Sequence, residues 1–348
     1  MRFVIYGAGG IGGTVGARLF QQGEAVALIA RGAHLDAVRE HGLALIAPDG
    51  EHRLTIPAYG RAAEVDWRED DVVLLCVKSQ QTSAALADLR NAAGDAMPVI
   101  CVQNGVANEP TALRFFERVY AMVVNLPAAH LAPGVVITHA HAPGGVLDLG
   151  RYPSGADALC EQVASALTRA GFSARPDLLV MRQKYAKLLA NLNNALQAAT
   201  NMAEGSADIA RALRDEALAC YAAAGIDAAS ADEVKARRAD GLRYVQIEGH
   251  ARHGGSTWQS LARGTGDVET DFLNGEIVWL GRRYGVATPV NRVLQRIGND
   301  LARHESPPGS LTVADVRAQI VAQLSQPRLE SHSSSEPSAI PSNRIVDR

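Results

Sequence analysis

Residues 2–12 read Arg2-Phe3-Val4-Ile5-Tyr6-Gly7-Ala8-Gly9-Gly10-Ile11-Gly12. A short apolar run of strand length leads straight into G-x-G-x-x-G, and residues 10–22 then read as a helix. Strand, glycine turn and helix in that order form the context in which this pattern binds a dinucleotide. Gly7 allows the tight turn, Gly9 lets a pyrophosphate approach the backbone, and Gly12 lets the helix pack close to the strand. The helix N-terminus offers unpaired N–H groups and a partial positive charge to the phosphates. Gly7, Ala8, Gly9, Gly10, Ile11 and Gly12 are therefore expected to hold a dinucleotide. The plain alternative is a glycine-rich turn without a ligand.

Outward from this turn, short β-like runs alternate with helical stretches. Residues 25–31 read as a second strand, and residues 42–59 as a hairpin turning at Pro48-Asp49-Gly50. Residues 71–78, apolar between Asp71 and Lys78, and residues 98–102 read as parallel strands covered on both faces. Helical segments are expected near 81–92 and 110–118, and a further β pair over 135–141 and 145–149, with its turn at Pro143-Gly144-Gly145. This alternation predicts an α/β fold, a Rossmann-type doubly wound parallel sheet. From about Pro176 the β signals stop, and helices are expected over 177–202, 207–224, 230–238, 270–284 and 290–302. The expected organisation is a dinucleotide-binding domain over 1–175 and an all-α substrate and catalytic domain over 176–324. A disordered Ser/Pro-rich tail is expected over 325–348, where too little apolar area is available to offset ordering.

The 348 residues suit two domains at roughly 150 residues each. Lys plus Arg is 34 and Asp plus Glu is 37, a net charge of −3, which argues against a nucleic-acid partner while leaving room for an anionic small ligand. Aromatic residues are 5 %, too few for stacking platforms on single strands. No apolar run approaches the ~20 residues that cross a bilayer, and the N-terminus does not read as a signal peptide. Cys76, Cys101, Cys160 and Cys220 lie far apart with no C-x-x-C pair, so neither a disulfide framework nor a metal site is expected. A reducing, cytoplasmic setting is the default.

The end of the second strand bears on the choice of dinucleotide. A carboxylate there accepts the ribose 2′-OH of NAD. This chain instead reads Leu28-Ile29-Ala30-Arg31-Gly32. A guanidinium can pair bidentately with a 2′-phosphate, so Arg31 points to NADP(H), the alternative being a solvated strand-end charge. Ligands of open α/β sheets bind beyond the carboxyl ends of strands. Lys78 directly follows one apolar run and Asn104 follows Ile100-Cys101-Val102-Gln103, and both should face the same cleft.

In the second half, Tyr185-Ala186-Lys187-Leu188-Leu189-Ala190-Asn191-Leu192-Asn193-Asn194 places Lys187, Asn191 and Asn194 at i, i+4 and i+7. They share one helix face, which must meet water, partner groups or a ligand. Lys184 lies one turn before Lys187 on nearly the same face.

Taken together, residues 7–12, Arg31, Lys78, Asn104-Gly105 and Lys187-Leu188-x-x-Asn191 resemble the ketopantoate reductase (2-dehydropantoate 2-reductase) family. So do Ser256-Thr257-Trp258-Gln259, Glu269-Thr270-Asp271-Phe272-Leu273-Asn274-Gly275 and Gly285-Val286-Ala287-Thr288-Pro289. The likeness covers about residues 1–305 in order. It implies NADPH-dependent reduction of a small 2-keto acid, ketopantoate, on the way to pantothenate and coenzyme A; monomer and homodimer both stay open. On matching positions it implies that Lys187 is the general acid and that Glu269 binds the substrate hydroxyl and helps position Lys187. It further implies that Asn191 and Ser256 hold substrate, Asn104 lies beside both ligands, and Lys78 lies near the nicotinamide ribose or the substrate. Where the family often has Asn-Pro eight residues after the lysine, this chain has Ala195, with Asn194 just before it as a further candidate substrate contact.

Three other readings stay open. The same scaffold could reduce another keto or imino acid, or serve as a non-catalytic NADPH-binding sensor. Glu269 could act only through the dipole of a helix capped by Asp267. His139 and His141 alternate along one strand, and without a third ligand they are read as β-surface residues rather than a metal pair.

Overall fold

Phe3, Val4 and Ile5 have no exposed surface, and Val72–Leu75 are buried on both sides as well. Only strands covered by helices on both faces need such unbroken apolar runs. The structure, a computed structural model, describes residues 1–201, 203–250, 254–264 and 266–325.

The strands are β1 (Arg2–Tyr6), β2 (Ala25–Ile29), β3 (Leu43–Ala47), β4 (Gly50–Leu54), β5 (Ala58–Tyr59), β6 (Asp71–Leu75), β7 (Val99–Cys101), β8 (Val119–Met122), β9 (Ala128–Ala132), β10 (Val135–Thr138), β11 (Ala140–Gly144), β12 (Leu149–Arg151) and β13 (Leu242–Tyr244). The helices of the first half are α1 (Gly10–Gln21), α2 (Gly32–His41), α3 (Thr82–Ala93), α4 (Asn108–Ala112) and α5 (Ala158–Arg169). Those of the second half are α6 (Val180–Asn191), α7 (Asn194–Thr200), α8 (Ala207–Ala224), α9 (Ala231–Gly241), α10 (Ser256–Ala262), α11 (Asn274–Tyr284), α12 (Pro289–Arg303) and α13 (Val313–Leu324).

The main sheet runs β12-β8-β7-β6-β1-β2-β5, parallel except for β12. Strand order reverses between β1 and β6, and a crevice opens beyond the carboxyl ends at such a switch point. The doubly wound parallel sheet read from the sequence is present. The hairpin expected over 42–59 supplies β3 and β4, while β5 leaves it to join the edge of the main sheet.

Several expectations are corrected. The β pair expected over 135–149 does not form. β10 pairs with β9 and β3, β11 pairs with β13, and β12 joins the main sheet. Strand periodicity fixes which side chains face the core but not which strand lies alongside. The resulting second sheet, β4-β3-β10-β9, covers α1. A Cβ on Gly10 would lie 2.8 Å from the backbone of Ala129, so glycine there permits that close approach. The segment 110–118 holds only the end of the short α4. The second half is also not purely helical, since β13 returns to the sheet-bearing half.

The helix expected over 177–202 is two helices, α6 and α7, interrupted at Leu192 and Asn193. Asn side chains compete for backbone groups and weaken helix interiors. The Leu192 carbonyl accepts a hydrogen bond from Asn274 Nδ2 at 3.0 Å. Both residues at the break keep right-handed dihedrals, so the apolar period of Leu188, Leu192 and Leu196 runs through unaltered.

Leu188, Leu192, Leu213, Ile277, Val293 and Leu294 form the core of the helical half. Two buried ion pairs tie the halves together. Lys184 of α6 meets Glu109 of α4 at 2.6 Å, and Arg237 of α9 meets Asp148 at 2.6 Å. Among the described residues no helix is long and apolar enough to cross a membrane. The expected tail over 325–348 lies, apart from Ser325, outside the described residues.

Candidate active site

The turn after β1 puts Gly9 at the N-terminus of α1 in extended conformation. Gly7 has φ +103°, and a Cβ there would press on Val77, so both conformation and space call for glycine. A Cβ at Gly9 would meet nothing within 4 Å, which leaves an open cradle in front of the first helical N–H groups. These features fit a dinucleotide pyrophosphate. Gly7, Ala8, Gly9, Gly10 and Ile11 line a cavity of about 350 Å³ together with Arg31, Lys78, Asn104, Ser256 and Glu269. Gly12 does not line it; it packs beneath the turn against the Gly7 carbonyl, Ile5 and Cys76.

Lys78 ends its strand run and reaches toward the helical half. Its Nζ donates to Ser260 Oγ at 2.8 Å and to the Asp267 carbonyl, and lies 3.3 Å from Asp267 Oδ2. Burial pushes the Lys78 ammonium down, against the opposing pull of the Asp267 and Glu269 carboxylates. Glu269 immediately precedes a single 3₁₀ turn (Thr270–Phe272), and Asp267 caps no helix there. The Glu269 carboxylate is 9 % exposed and accepts from Ser79 N at 3.0 Å and Ser79 Oγ at 2.9 Å. It therefore ties the segment before α11 to the loop after β6.

Asn104 leaves the end of β7 and lines this cavity as well as an adjoining one of about 240 Å³. Lys187, Asn191 and Asn194 enter the second cavity from α6 and α7, and Ser256 lines both. Lys187 Nζ donates to Val124 O at 2.8 Å and to Asn104 Oδ1 at 3.1 Å. Asn191 Oδ1 is buried without a hydrogen-bond partner among the described residues, and Asn194 Nδ2 donates to Ser256 Oγ at 3.4 Å. The break after Asn191 does not separate the stripe, since all three side chains still meet one cavity. Lys184 does not join them; its ammonium is buried on Glu109 and the Gln103 carbonyl.

Two families of sequence models match. The one described as "Ketopantoate reductase PanE/ApbA" covers residues 3–154, and its C-terminal counterpart covers residues 179–301. The chain belongs to the ketopantoate reductase family. A 2-dehydropantoate 2-reductase of Halobacterium salinarum is 30 % identical over 299 residues, spanning 84 % of this chain and 96 % of the relative. A crystal structure of a PanE/ApbA family ketopantoate reductase from Ralstonia eutropha superposes with a TM-score of 0.73 at 30 % identity, over 88 % of this chain and 99 % of that one. A D-mandelate dehydrogenase solved with NADH and anilino(oxo)acetate shares the fold, with a TM-score of 0.75 at 24 % identity over 88 % of this chain and 99 % of that one.

Within this ketopantoate reductase fold, several cavity residues escape the sequence reading. His34 and His130 sit beside the glycine turn. His34 Nε2 lies 2.8 Å from Ala8 O and must carry a proton, so its Nδ1 accepts from Gly134 N at 2.9 Å and from His130 Nε2 at 3.0 Å. That pattern needs the His34 ring neutral. Burial lowers both pKa values, His130 to about 4, with His34 and Arg263 adding to the effect on His130. No spacing rule links positions 34 and 130; only the fold, which brings the start of α2 beside β9, does. Ser260 and Arg263 also line the cavity from α10 and its end, beside Gln259 of the Ser256–Gln259 motif; no helix is expected there from the sequence. His139 is buried, 3 % exposed, and stacks on Tyr244 of β13. The β-surface reading holds for exposed His141 and fails for His139, because β13 covers it.

Proposed function

We propose that this chain reduces ketopantoate to pantoate with NADPH, in the synthesis of pantothenate and coenzyme A. The carrying observation is the Lys187 ammonium, which leaves α6, lines the second cavity and is held by Asn104 and Val124, two residues that line both cavities. When bound, the reduced nicotinamide supplies the hydride. Lys187 supplies what the protein must add, a positive charge and a proton at the oxygen on which negative charge develops. Asn104 Oδ1 holds that ammonium at the cleft wall. Asn191, Asn194 and Ser256 line the second cavity and would orient the keto acid. Ala195 is buried in the helical core, so Asn194 stands in for the polar group absent there.

Glu269 and Lys78 lie on the nucleotide side. Glu269 spans the cleft to Ser79, a role in fastening the two halves beside the reacting centre, and it would meet the substrate hydroxyl. Arg31 stands at the N-terminus of α2 on the cavity wall and would pair with a 2′-phosphate. The glycine turn from Gly7 to Ile11 would take the pyrophosphate.

Steady-state oxidation of NADPH with ketopantoate and a panel of 2-keto acids tests the reading. Ketopantoate should give the highest kcat/KM. A different keto or imino acid preferred by 100-fold would move the assignment to another substrate on the same scaffold. Tight NADPH binding without turnover of any member would indicate a sensor.

A further inference from the structure

The segment formed by α9 and β13 is fastened onto the sheet-bearing half. Ser230 and Glu233 form a capping box that starts α9. Arg237 then forms a bidentate pair with Asp148, both contacts 2.6 Å, and adds Ser173 Oγ at 2.9 Å. Gly241 lies so close to Val146 and Ser173 that a Cβ would sit 2.5 and 2.9 Å from them. β13 then pairs antiparallel with β11, Ala140 opposite Tyr244 and His141 opposite Arg243. The strap is thus pinned on both sides of residue 238.

Arg238 and Leu242, one turn apart, line the cavity that holds Lys187, Asn191 and Asn194. Arg237, the preceding residue, is turned onto Asp148, and the ~100° step per helical residue carries Arg238 to a different face. The cations on that cavity are Lys187 and Arg238, and its described lining contains no carboxylate. Lys187 is already held by Asn104 and Val124 in a place suited to a carbonyl oxygen. Arg238 is exposed; its carbonyl accepts from Leu242 N, and its guanidinium makes no hydrogen bond or ion pair with a described residue. A 2-keto acid brings two acceptor groups, its carbonyl and an adjoining carboxylate, and a planar guanidinium suits the second.

We propose that Arg238 is the specificity residue that recognises the carboxylate of the substrate. The inference rests on the keto acid reading above and adds which side chain reads the acid. α9 and β13 deliver Arg238 to the mouth of the cavity, and their pinning by Asp148 and β11 makes it a fixed selector.

The test compares wild type, Arg238→Gln and Arg238→Lys in the full chain. The readouts are turnover of ketopantoate and of its uncharged methyl ester, and calorimetric binding of ketopantoate in the presence of NADP⁺. Arg238→Gln should raise KM and Kd for ketopantoate by roughly 10–100-fold, with kcat carrying little of the loss. The ester should lose less than threefold, and Arg238→Lys should recover part of the affinity. Arg243→Gln, an exposed charge on the same strap but off the cavity lining, should match wild type. Equal KM and Kd in Arg238→Gln and wild type, or equal losses for acid and ester, would overturn the inference. Absence of turnover alongside a Kd weakened by Arg238→Gln would overturn the proposed reaction and keep carboxylate recognition.

Discussion

Lys187 Nζ lies 3.1 Å from Asn104 Oδ1, a single hydrogen bond that joins the helical half to the carboxyl end of a central strand. Lys184, three residues earlier, reaches the same sheet yet meets a buried carboxylate instead. One turn of helix thus separates a structural ammonium from one that lines the second cavity, and the two should respond differently to removal.

Lys184→Ala strands the Glu109 carboxylate, which is 0 % exposed, in the interior. Removing one partner of such a buried pair costs about 3–5 kcal/mol. Urea denaturation should show that loss, and the double replacement Lys184→Met with Glu109→Leu should return most of it. An unchanged midpoint in Lys184→Ala would contradict the structural role.

Arg31→Ala should weaken NADPH by roughly 10–100-fold, the worth of a charge-assisted bidentate pair, and leave NADH within about twofold. Fluorescence titration of each nucleotide checks this. Equal losses for both would remove the 2′-phosphate from the account.

The His34–His130 pair predicts an acid sensitivity. The folded pKa of His130 is about 4, below its ordinary value, because of burial first and then of His34 and Arg263. The unfolded chain therefore binds more protons between about pH 6.5 and 4, and stability falls as pH falls through that window. It is fully present above pH 6.5. His34 shifts in the same direction. Thermal melts from pH 7 to 4 should show a steeper decline in wild type than in His130→Gln, and nucleotide affinity should follow, since His34 bonds the Ala8 carbonyl within the glycine turn.

The glycine turn, the parallel sheet and the strand-end residues Arg31, Lys78 and Asn104 are legible in the sequence because they depend on local order and on one topological rule. Lys187, Asn191 and Asn194 are legible as a stripe because their helical period survives the break at Leu192 and Asn193. That same survival hides the break. β13 is three residues long, and its partner lies about a hundred positions earlier, so no local pattern announces it. The His34–His130 contact and the burial of His139 depend on sheet packing between distant segments, as does the fastening of Glu269 to Ser79. Periodicity says which face is buried; it does not say what buries it.

The most direct test of the central claim is the steady-state rate of NADPH oxidation with ketopantoate by wild type and Lys187→Ala, with NADPH affinity measured alongside. A loss of kcat of about 10²-fold or more, with NADPH bound nearly as well as by wild type, is the predicted result. A Lys187→Ala enzyme that retains wild-type kcat would contradict it.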